Sequence, residues 1–594
     1  MIASIVLPPA LILVAGALLT TLFQGRALRI AALAAPLVGL LLLWAAPEGN
    51  FGQVSFLGLN LLTTRIDALS RIFGYVFYLA CLLGVLFSFH HKERSHYAVG
   101  LLYAGAAQGV TFAGDLITLF VFWETLTLAA TFLIAARRTR RSREAAVRYM
   151  LVHVAGGLCL LSGILLHRSA GGDLALGPLQ LDAPGAVLIF LGFGLNCAWP
   201  LLHAWLVDAY PESTVAGAVF LSVFTTKSAV YVLARCFAGI EELVWIGALM
   251  AAFPVLYALI ENDLRRVLCY SLISQVGYMV VAIGIGSDMA INGAVCHAFA
   301  HILYKSLLFM VLGAVVFRTG TSNASQLGGL YRSMPGTVIC CLVGSASISA
   351  FPLFSGFVTK SIIMDAVTHS HRPLVWLVLT AASVGTFFYA GVKIPYRIFF
   401  GAEAKVQIRE APPHMLLAMA ATAFLCVLLG LRPQLLFGIM PYPAVYELYT
   451  PAHVLSKLQL LCFAGLGFWL LCRWRIYPFE KAATNLDVDW FYRRGGLMLY
   501  RGVDRLFNGL NAHCERFFIT RMTALSARFF EEPGGNVQIG CLRILNRLMG
   551  FQDLSPGTKQ RIRQRSRLGT YPVGVGVLLA VIFLAATSLL YFIA

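Results

Sequence analysis

Long apolar stretches recur along the whole chain and are separated by short polar segments. Most are about 20 residues long, the length that an α-helix needs to cross the hydrocarbon core of a bilayer. The first stretch lacks a basic start and a small-residue cleavage site, so we interpret it as a retained helix and not as a signal peptide. The pattern predicts an all-α integral membrane protein with about sixteen transmembrane helices, near residues 3–23, 27–46, 67–89, 96–113, 114–136, 147–167, 184–207, 213–237, 240–260, 264–286, 290–318, 335–367, 374–400, 414–440, 452–472 and 570–593.

Composition and charge agree with this pattern. The 594 residues are 59% hydrophobic and 12% charged, whereas a soluble protein has roughly 25% charged residues. The net charge of +18 lies mostly in alternate loops, for example the arginine-rich run 137–143, and not on a surface suited to nucleic acid. By the positive-inside rule, the chain is a multi-pass protein of a prokaryotic inner (plasma) membrane with both termini on the periplasmic or external side.

The sequence offers no sign of a cofactor. The thirteen cysteines form no CxxC pair, which disfavours iron–sulfur, zinc and disulfide frameworks. No nucleotide-binding loop or flavin motif is recognisable. We therefore predict no cofactor, no metal and no catalytic residue. Membership of a larger, redox-driven translocase stays open.

One motif occurs twice. Residues 198–208 match residues 350–360 at an offset of 152, and Pro200 then lies opposite Pro352. A proline inside a membrane helix frees backbone groups, which is tolerated only where the helix faces protein or water. The pairing predicts two interrupted helices beside an ion path.

The repeated motif divides the central chain into two copies of a five-helix segment, 96–237 and 240–400. The same offset places His153 opposite Lys305. An odd number of helices in each copy predicts that the copies insert with opposite orientation.

Glu124, Lys227 and Lys305 fall near the middle of predicted helices, and Lys360 falls just after the predicted interruption at Pro352. Each costs about 2.5–3.5 kcal/mol at the bilayer centre on insertion scales. A purely structural bundle gives no reason for four such residues. A change of partner or hydration can load or unload a proton at such groups, so we interpret them as ion-translocation residues.

His297, His301 and Lys305 stand at i, i+4 and i+8, on one helical face. Histidine titrates near neutrality, so this face is a candidate proton relay between two half-channels. A two-histidine metal site is disfavoured because no carboxylate lies nearby in sequence. His153 fits an ion path and helix packing equally well. Lys393 is a further ion-path candidate, and the alternative is snorkelling to the cytoplasmic interface.

The ends of the chain are organised differently. Residues 1–113 hold helices one to four, the fourth of which begins the first repeat, and residues 414–472 hold helices fourteen and fifteen. Residues 486–568 carry arginines between apolar positions spaced by three to five, which predicts an amphipathic helix on the cytoplasmic interface. Over residues 490–530 this helix is about 60 Å long, and it serves this subunit alone or braces a neighbouring one. The last span, 570–593, is an anchor.

The motifs together resemble the antiporter-like, proton-conducting subunits of respiratory complex I, membrane-bound hydrogenases and Mrp-type multisubunit Na⁺/H⁺ antiporters (subunits D and A). The matching pieces are Trp123-Glu124, Leu202-His203-x-Trp205-Leu206-x-Asp208-Ala209, Thr226-Lys227-x-x-x-Tyr231, Asp263-Leu-Arg-Arg-Val-Leu-x-Tyr-Ser271, Ser274-Gln275-x-Gly277-Tyr278, His297-x-x-x-His301-x-x-x-Lys305 and Gly356-Phe357-x-x-Lys360. The resemblance implies a fourteen-helix core with two inverted five-helix repeats. It also implies an ion path through Glu124, Lys227, the His297–Lys305 face and Lys360. Beyond residue 440, the chain resembles the longer members, which add a fifteenth helix, a lateral helix and an anchor.

The chain departs from the family pattern at one position. Family members carry a lysine five positions before the proline of the first interrupted helix, and Asn196 occupies that place here. We therefore expect Glu124 to pair with Lys227, or the first half-channel to be altered.

These observations predict an H⁺-translocating or Na⁺/H⁺-exchanging subunit that is driven by other membrane subunits of a larger complex. The sequence does not distinguish H⁺ from Na⁺ or name the complex. One alternative is a scaffold or coupling subunit with a degenerate channel. Another is an ion-gated module for uptake of a small solute such as inorganic carbon.

Overall fold

The computed structural model describes residues 7–401, 408–444, 446–474, 485–567 and 573–593. Residues 3–6 and 570–572 of the predicted first and last spans, and residue 568 of the predicted lateral segment, lie outside the described residues. The chain divides into two units, Met1–Val488 and Asp489–Ala594.

The helices of the first unit are α1 (Pro9–Leu22), α2 (Gly25–Ala45), α3 (Ala68–Phe87), α4 (Arg94–Phe112), α5 (Leu116–Ala135), α6 (Arg140–Ser169), α7 (Ala186–Asn196), α8 (Ala204–Ala209), α9 (Val215–Val223), α10 (Thr225–Cys236), α11 (Glu241–Ile260), α12 (Leu264–Ile285), α13 (Asp288–Thr319), α14 (Pro335–Ile348), α15 (Ser355–His369), α16 (Pro373–Thr386), α17 (Pro413–Leu431), α18 (Gln434–Phe437) and α19 (Pro451–Arg473). Two π-helical stretches, Phe387–Lys393 and Tyr396–Phe400, follow α16.

The second unit contains α20 (Asp489–Cys514), a π-helical stretch (Glu515–Met522), α21 (Thr523–Glu531), α22 (Pro533–Leu548), α23 (Pro556–Arg567) and α24 (Val573–Ile593). No residue of α20 or α21 is buried, although both carry large apolar side chains.

Among the described residues, eleven helices are long and apolar enough to cross a membrane, and four apolar helical stretches are shorter. The chain is therefore a mostly helical membrane protein, as the hydropathy pattern predicted.

The expectation of an all-α fold was wrong in one place. Gly49–Phe56 and Leu59–Ile66 form an antiparallel β-hairpin, β1 and β2. The turn residues Leu57 and Gly58 both have positive φ, 49° and 75°, as a tight hairpin turn of the mirror-image type requires. Hydropathy alone did not separate this polar, alternating segment from a loop.

Helix α13 lies at the centre of the first unit. It packs against α3, α9, α12, α14, α15 and α17, and every residue from Ala290 to Val315 is buried. Ser287 caps its first turn, and Gly320 ends it in the left-handed conformation at φ 76°. The polar residues of this helix therefore face protein and not lipid.

Two interruptions share one backbone geometry. The first separates α7 from α8 and contains Ala198 and Leu201 at φ 62° and 70°. The second separates α14 from α15 and contains Ala350 and Leu353 at φ 57° and 74°. Both pairs are related by the offset of 152. Such conformations cost about 1–3 kcal/mol each for residues other than glycine. The surrounding packing must therefore stabilise the non-helical backbone of both interruptions.

The offset is not constant along the two segments predicted to be repeats. Helices α5 and α12 are capped by Asp115 and Asp263, and α6 and α13 are capped by Thr139 and Ser287, both pairs at an offset of 148. The offset is 149 at the first residues of α7 and α14 and reaches 152 at their last residues, because α14 has 14 residues and α7 has 11. At the cap offset His153 lies opposite His301, which corrects the alignment with Lys305.

One ion pair ties the hairpin end to α10. Asp67 caps α3 by accepting from Ser70 N, and it accepts two hydrogen bonds of 2.7 Å from the Arg235 guanidinium. Burial raises the pKa of Asp67. The hydrogen bonds from Arg235 and the Ser70 N–H, together with the positive charges of Arg235 and Arg65, outweigh this effect and lower the pKa to about 2.

We expect Asp67→Asn to lower the free energy of unfolding by about 2 kcal/mol at neutral pH. The folded pKa is depressed, so this contribution is present above pH 4 and is lost as the pH falls toward 2. The midpoint of thermal unfolding in detergent measures it. Asp182→Asn, at an exposed loop position, is the control. Equal midpoints for the two variants would contradict this role of Asp67.

Candidate functional site

The polar face of α13 forms the centre of the candidate site. His297, His301 and Lys305 are completely buried, and the ring centroids of the two histidines are 6.2 Å apart. Within the part of the chain that the structure describes, both ring nitrogens of His301 and Nζ of Lys305 have no hydrogen-bond partner. Unpartnered buried polar groups are costly, so three such atoms side by side indicate a functional site.

A hydrogen-bonded chain leads away from His297. Its Nδ1 lies 2.9 Å from Thr359 Oγ1, and its Nε2 lies 3.4 Å from the Tyr304 hydroxyl. Tyr304 donates to Gln275 Oε1 at 3.4 Å, and the Gln275 amide donates to Thr386 Oγ1 at 3.2 Å. The chain connects α15, α13, α12 and α16. His297, on the polar face of α13, is thus hydrogen-bonded to Thr359, the residue before Lys360.

The other buried lysines donate to the ends of helices. Lys227 Nζ donates to the Ser222 carbonyl at 2.6 Å, close to the end of α9, and Lys360 Nζ donates to the Ile348 carbonyl at 2.8 Å, at the end of α14. Carbonyls in the last turn of a helix lack intrahelical partners and carry the negative end of the helix dipole. The ends of α9 and α14 therefore supply the counter-charge for these ammonium groups.

Lys393 makes the same kind of contact in the π-helical stretch after α16. Its Nζ donates to the Leu259 and Glu261 carbonyls at 2.8 Å, at the end of α11. The side chain is buried, so the snorkelling alternative is wrong.

Glu124 does not form the expected pair with Lys227. No salt bridge joins these two described side chains, because Lys227 is bound to the Ser222 carbonyl. The Glu124 carboxyl lies against the backbone of α6, where a Cβ at Gly157 would approach Oε1 to 1.9 Å. Asn196 is buried, and neither of its amide atoms has a hydrogen-bond partner among the described residues. Glu124 and Lys227 therefore have separate surroundings.

His153 belongs to a cluster of aromatic side chains around α6. It stacks on Tyr149 at 3.9 Å between centroids and meets the Trp205 ring at 4.4 Å. The hydroxyls of Tyr149 and Tyr103 lie 3.4 and 2.6 Å from Thr225 Oγ1. This cluster brings α6, α8, α4 and α10 together. Among the described residues, no hydrogen bond joins it to the side chain of Glu124 or Lys227.

Sequence reasoning missed a buried acid at the end of the first unit. Asp487 accepts a hydrogen bond of 2.7 Å from the Tyr270 hydroxyl, and His203 Nε2 lies 3.3 Å from both of its oxygens. Burial raises the pKa of Asp487, but the hydrogen bonds from His203, Tyr270 and its neighbour's N–H, with the charge of His203, lower it overall. His203 lies in the first interruption, so this contact ties residues 485–488 to the interrupted helix.

No group of three or more His, Cys, Asp and Glu side chains suited to a metal occurs in the described ranges. The arrangement is a line of buried titratable groups, and proton transfer is the chemistry that it can support.

Residues 113–388 match the family model described as "NADH:quinone oxidoreductase/Mrp antiporter, TM". This range contains the relay face, both interruptions and every predicted site residue except Lys393. Over these residues the chain is similar to the antiporter-like membrane subunit family. Na(+)/H(+) antiporter subunit A1 of Staphylococcus saprophyticus is 27% identical over 479 residues, which cover 70% of this chain and 59% of that protein.

The chain is also similar to hydrogenase-4 component B of Escherichia coli, at 28% identity over 491 residues, 71% of this chain and 73% of that protein. Its fold matches a chain in the structure of the Mrp complex from Dietzia sp. DQ12-45-1b with a TM-score of 0.74 and 27% identity, covering 84% of this chain and 59% of that chain. The chain spans 59% of the length of each of the two antiporter relatives named here.

Proposed function

We propose that the chain is an ion-translocating subunit of a multisubunit membrane complex, which conducts H⁺ or exchanges Na⁺ for H⁺. The observation that carries this proposal is the face of His297, His301 and Lys305, which is buried and partly unpartnered at the centre of the fold. A proton path needs groups that keep some hydrogen-bonding capacity free, because a group whose donors and acceptors are all bonded to fixed protein partners cannot pass its proton on. The names of the relatives support the same conclusion.

The proposed path runs through both copies. Its members are Glu124, Lys227, His153, His301, His297, Lys305, Lys360 and Lys393. Carbonyls at helix ends bind three of the lysines, and a conformational change at the second interruption would move the counter-charge of Lys360. Such a movement changes the free energy of the protonated lysine and so drives uptake or release.

The proposed topology has sixteen spans, two inverted five-helix repeats and both termini outside. The shared interruptions and the paired caps of α5/α12 and α6/α13 support the repeats. The domain limits given by the sequence, 96–237 and 240–400, stay part of this proposal. Other membrane subunits are the proposed partners. The exposed apolar side chains of α20 and α21 support the bracing role of residues 486–530, because such a surface needs a cover.

Cysteine labelling tests the orientation. Arg141→Cys, at an exposed position in the first turn of α6, should react with an impermeant thiol reagent only from the cytoplasmic side. Asp182→Cys, in the loop between α6 and α7, is the matched position and should react only from outside. Both variants need a background without the exposed Cys462, Cys514 and Cys541. The reverse pattern would overturn the orientation.

A coupling or scaffold role is the second candidate. It is favoured by the missing Glu124–Lys227 pair and by Asn196, which both lie in the first copy. Reconstitution of the whole complex in vesicles, with a pH-sensitive dye inside and with or without a Na⁺ gradient, separates the two functions. Translocation predicts flux that depends on the α13 face, whereas a scaffold predicts flux that does not.

A further inference from the structure

A cavity of about 280 Å³ opens between α15, α16 and α19. Its polar lining contains Tyr278, Lys360, Asp365, Ser383, His453 and Lys457. Among these, only Lys360 belongs to the proposed path. The others were not recognised as site residues, and α19 lies in the extension beyond residue 440.

The cavity leads from a buried lysine to exposed helix ends. Lys360 is 2% exposed, and its Nζ lies 5.1 Å from the centroid of the Tyr278 ring. At the other end, Asp365 Oδ1 and His453 Nε2 are 3.8 Å apart, and these side chains are 30% and 42% exposed. Asp365 is near the end of α15, and His453 is in the first turn of α19. In the proposed topology both helix ends face outside.

Lys457 lies on the wall of the cavity, one helical turn beyond His453. Its Nζ donates to Ser383 Oγ at 3.2 Å. It lines the same cavity of about 280 Å³ as Lys360. Two ammonium groups in one cavity repel each other, so protonation of one favours release from the other. The carboxylate of Asp365 attracts the released proton toward the mouth.

We propose that this cavity is the outer access channel of the ion path and that Lys457 is its proton-carrying residue. The inference rests on the proposed function. Protonated Lys360 gives its proton to the neutral amine of Lys457, so that one N–H bond breaks as another forms. Lys457 then passes the proton to the Asp365 carboxylate and the external water. The fifteenth helix thus supplies a working group of the path.

The test uses Lys457→Cys in the whole complex in vesicles whose external face is accessible, in a background with Cys462, Cys472, Cys514 and Cys541 replaced by serine. We expect flux to fall about tenfold. Aminoethyl methanethiosulfonate added outside rebuilds a side chain with an amine and should restore most of the flux. The sulfonatoethyl reagent should not. Phe463→Cys, on the exposed side of α19, should keep its flux with and without both reagents.

Normal flux in Lys457→Cys, or reaction only from the cytoplasmic side, would overturn the channel. Ser361→Cys also lines the cavity and leaves Lys457 in place. External sulfonatoethylation should block flux in this variant, and unchanged flux after complete modification would count against the proposal. Lys305→Ala in the same vesicles separates the hypotheses. If it abolishes flux while Lys457→Cys does not, only the outer channel is wrong. If it leaves flux normal, the proposed function fails as well.

Discussion

Lys305→Ala is expected to reduce ion flux through the whole complex by about a hundredfold, the scale of a positioned proton-transfer group. Lys305 lies at the centre of α13, and its Nζ has no hydrogen-bond partner among the described residues. Alanine removes the carrier but favours the helix, so we expect assembly to survive. Dye-reported flux per assembled complex measures the effect.

Lys305→Arg separates charge from proton exchange. The guanidinium keeps the positive charge but does not give up its proton, so we expect this variant to be impaired nearly as strongly. Lys92→Ala, at an exposed loop position, is the control for loss of a lysine. Normal flux in both Lys305 variants would eliminate the relay and leave the scaffold function.

The sequence was informative where chemistry and helical periodicity coincide. The spacing of His297, His301 and Lys305 placed them on one face, and the burial of α13 follows from its apolar residues on all other faces. The two prolines in matching motifs located both interruptions within a few residues. In each case a local pattern determines the structure, so no knowledge of distant contacts is needed.

The errors arose where distant segments decide the outcome. Asp487 and His203 are 284 residues apart, and no local pattern reports their contact. Lys227 was paired with Glu124 by charge alone, but the carbonyls at the end of α9 compete for the ammonium group. The negative end of a helix consists of backbone carbonyls, so a prediction that pairs side chains by charge does not include it as a counter-charge. The shift from offset 148 to 152 likewise depends on the lengths of α7 and α14.

Gly356→Ala is expected to abolish most of the flux without removing any charged group. Gly356 lies in the first turn of α15, directly against α14. A Cβ added there would lie 1.8 Å from the Ser347 carbonyl oxygen and 2.8 Å from its carbon. These are backbone atoms next to the interruption, so the clash can be relieved only if α14 and α15 move apart.

That movement would separate Lys360 from the Ile348 carbonyl, which is now 2.8 Å from its Nζ. The lysine would lose the counter-charge that holds it at the inner end of the cavity, and proton transfer depends on such distances. Gly467→Ala is the matched control, because a Cβ at this position of α19 meets nothing within 4 Å and alanine favours a helix by about 1 kcal/mol. Flux per assembled complex should fall by about a hundredfold in Gly356→Ala and stay unchanged in Gly467→Ala. Equal flux in the two variants would show that the close contact between α14 and α15 does not position Lys360, and the second interruption would lose its place in the ion path.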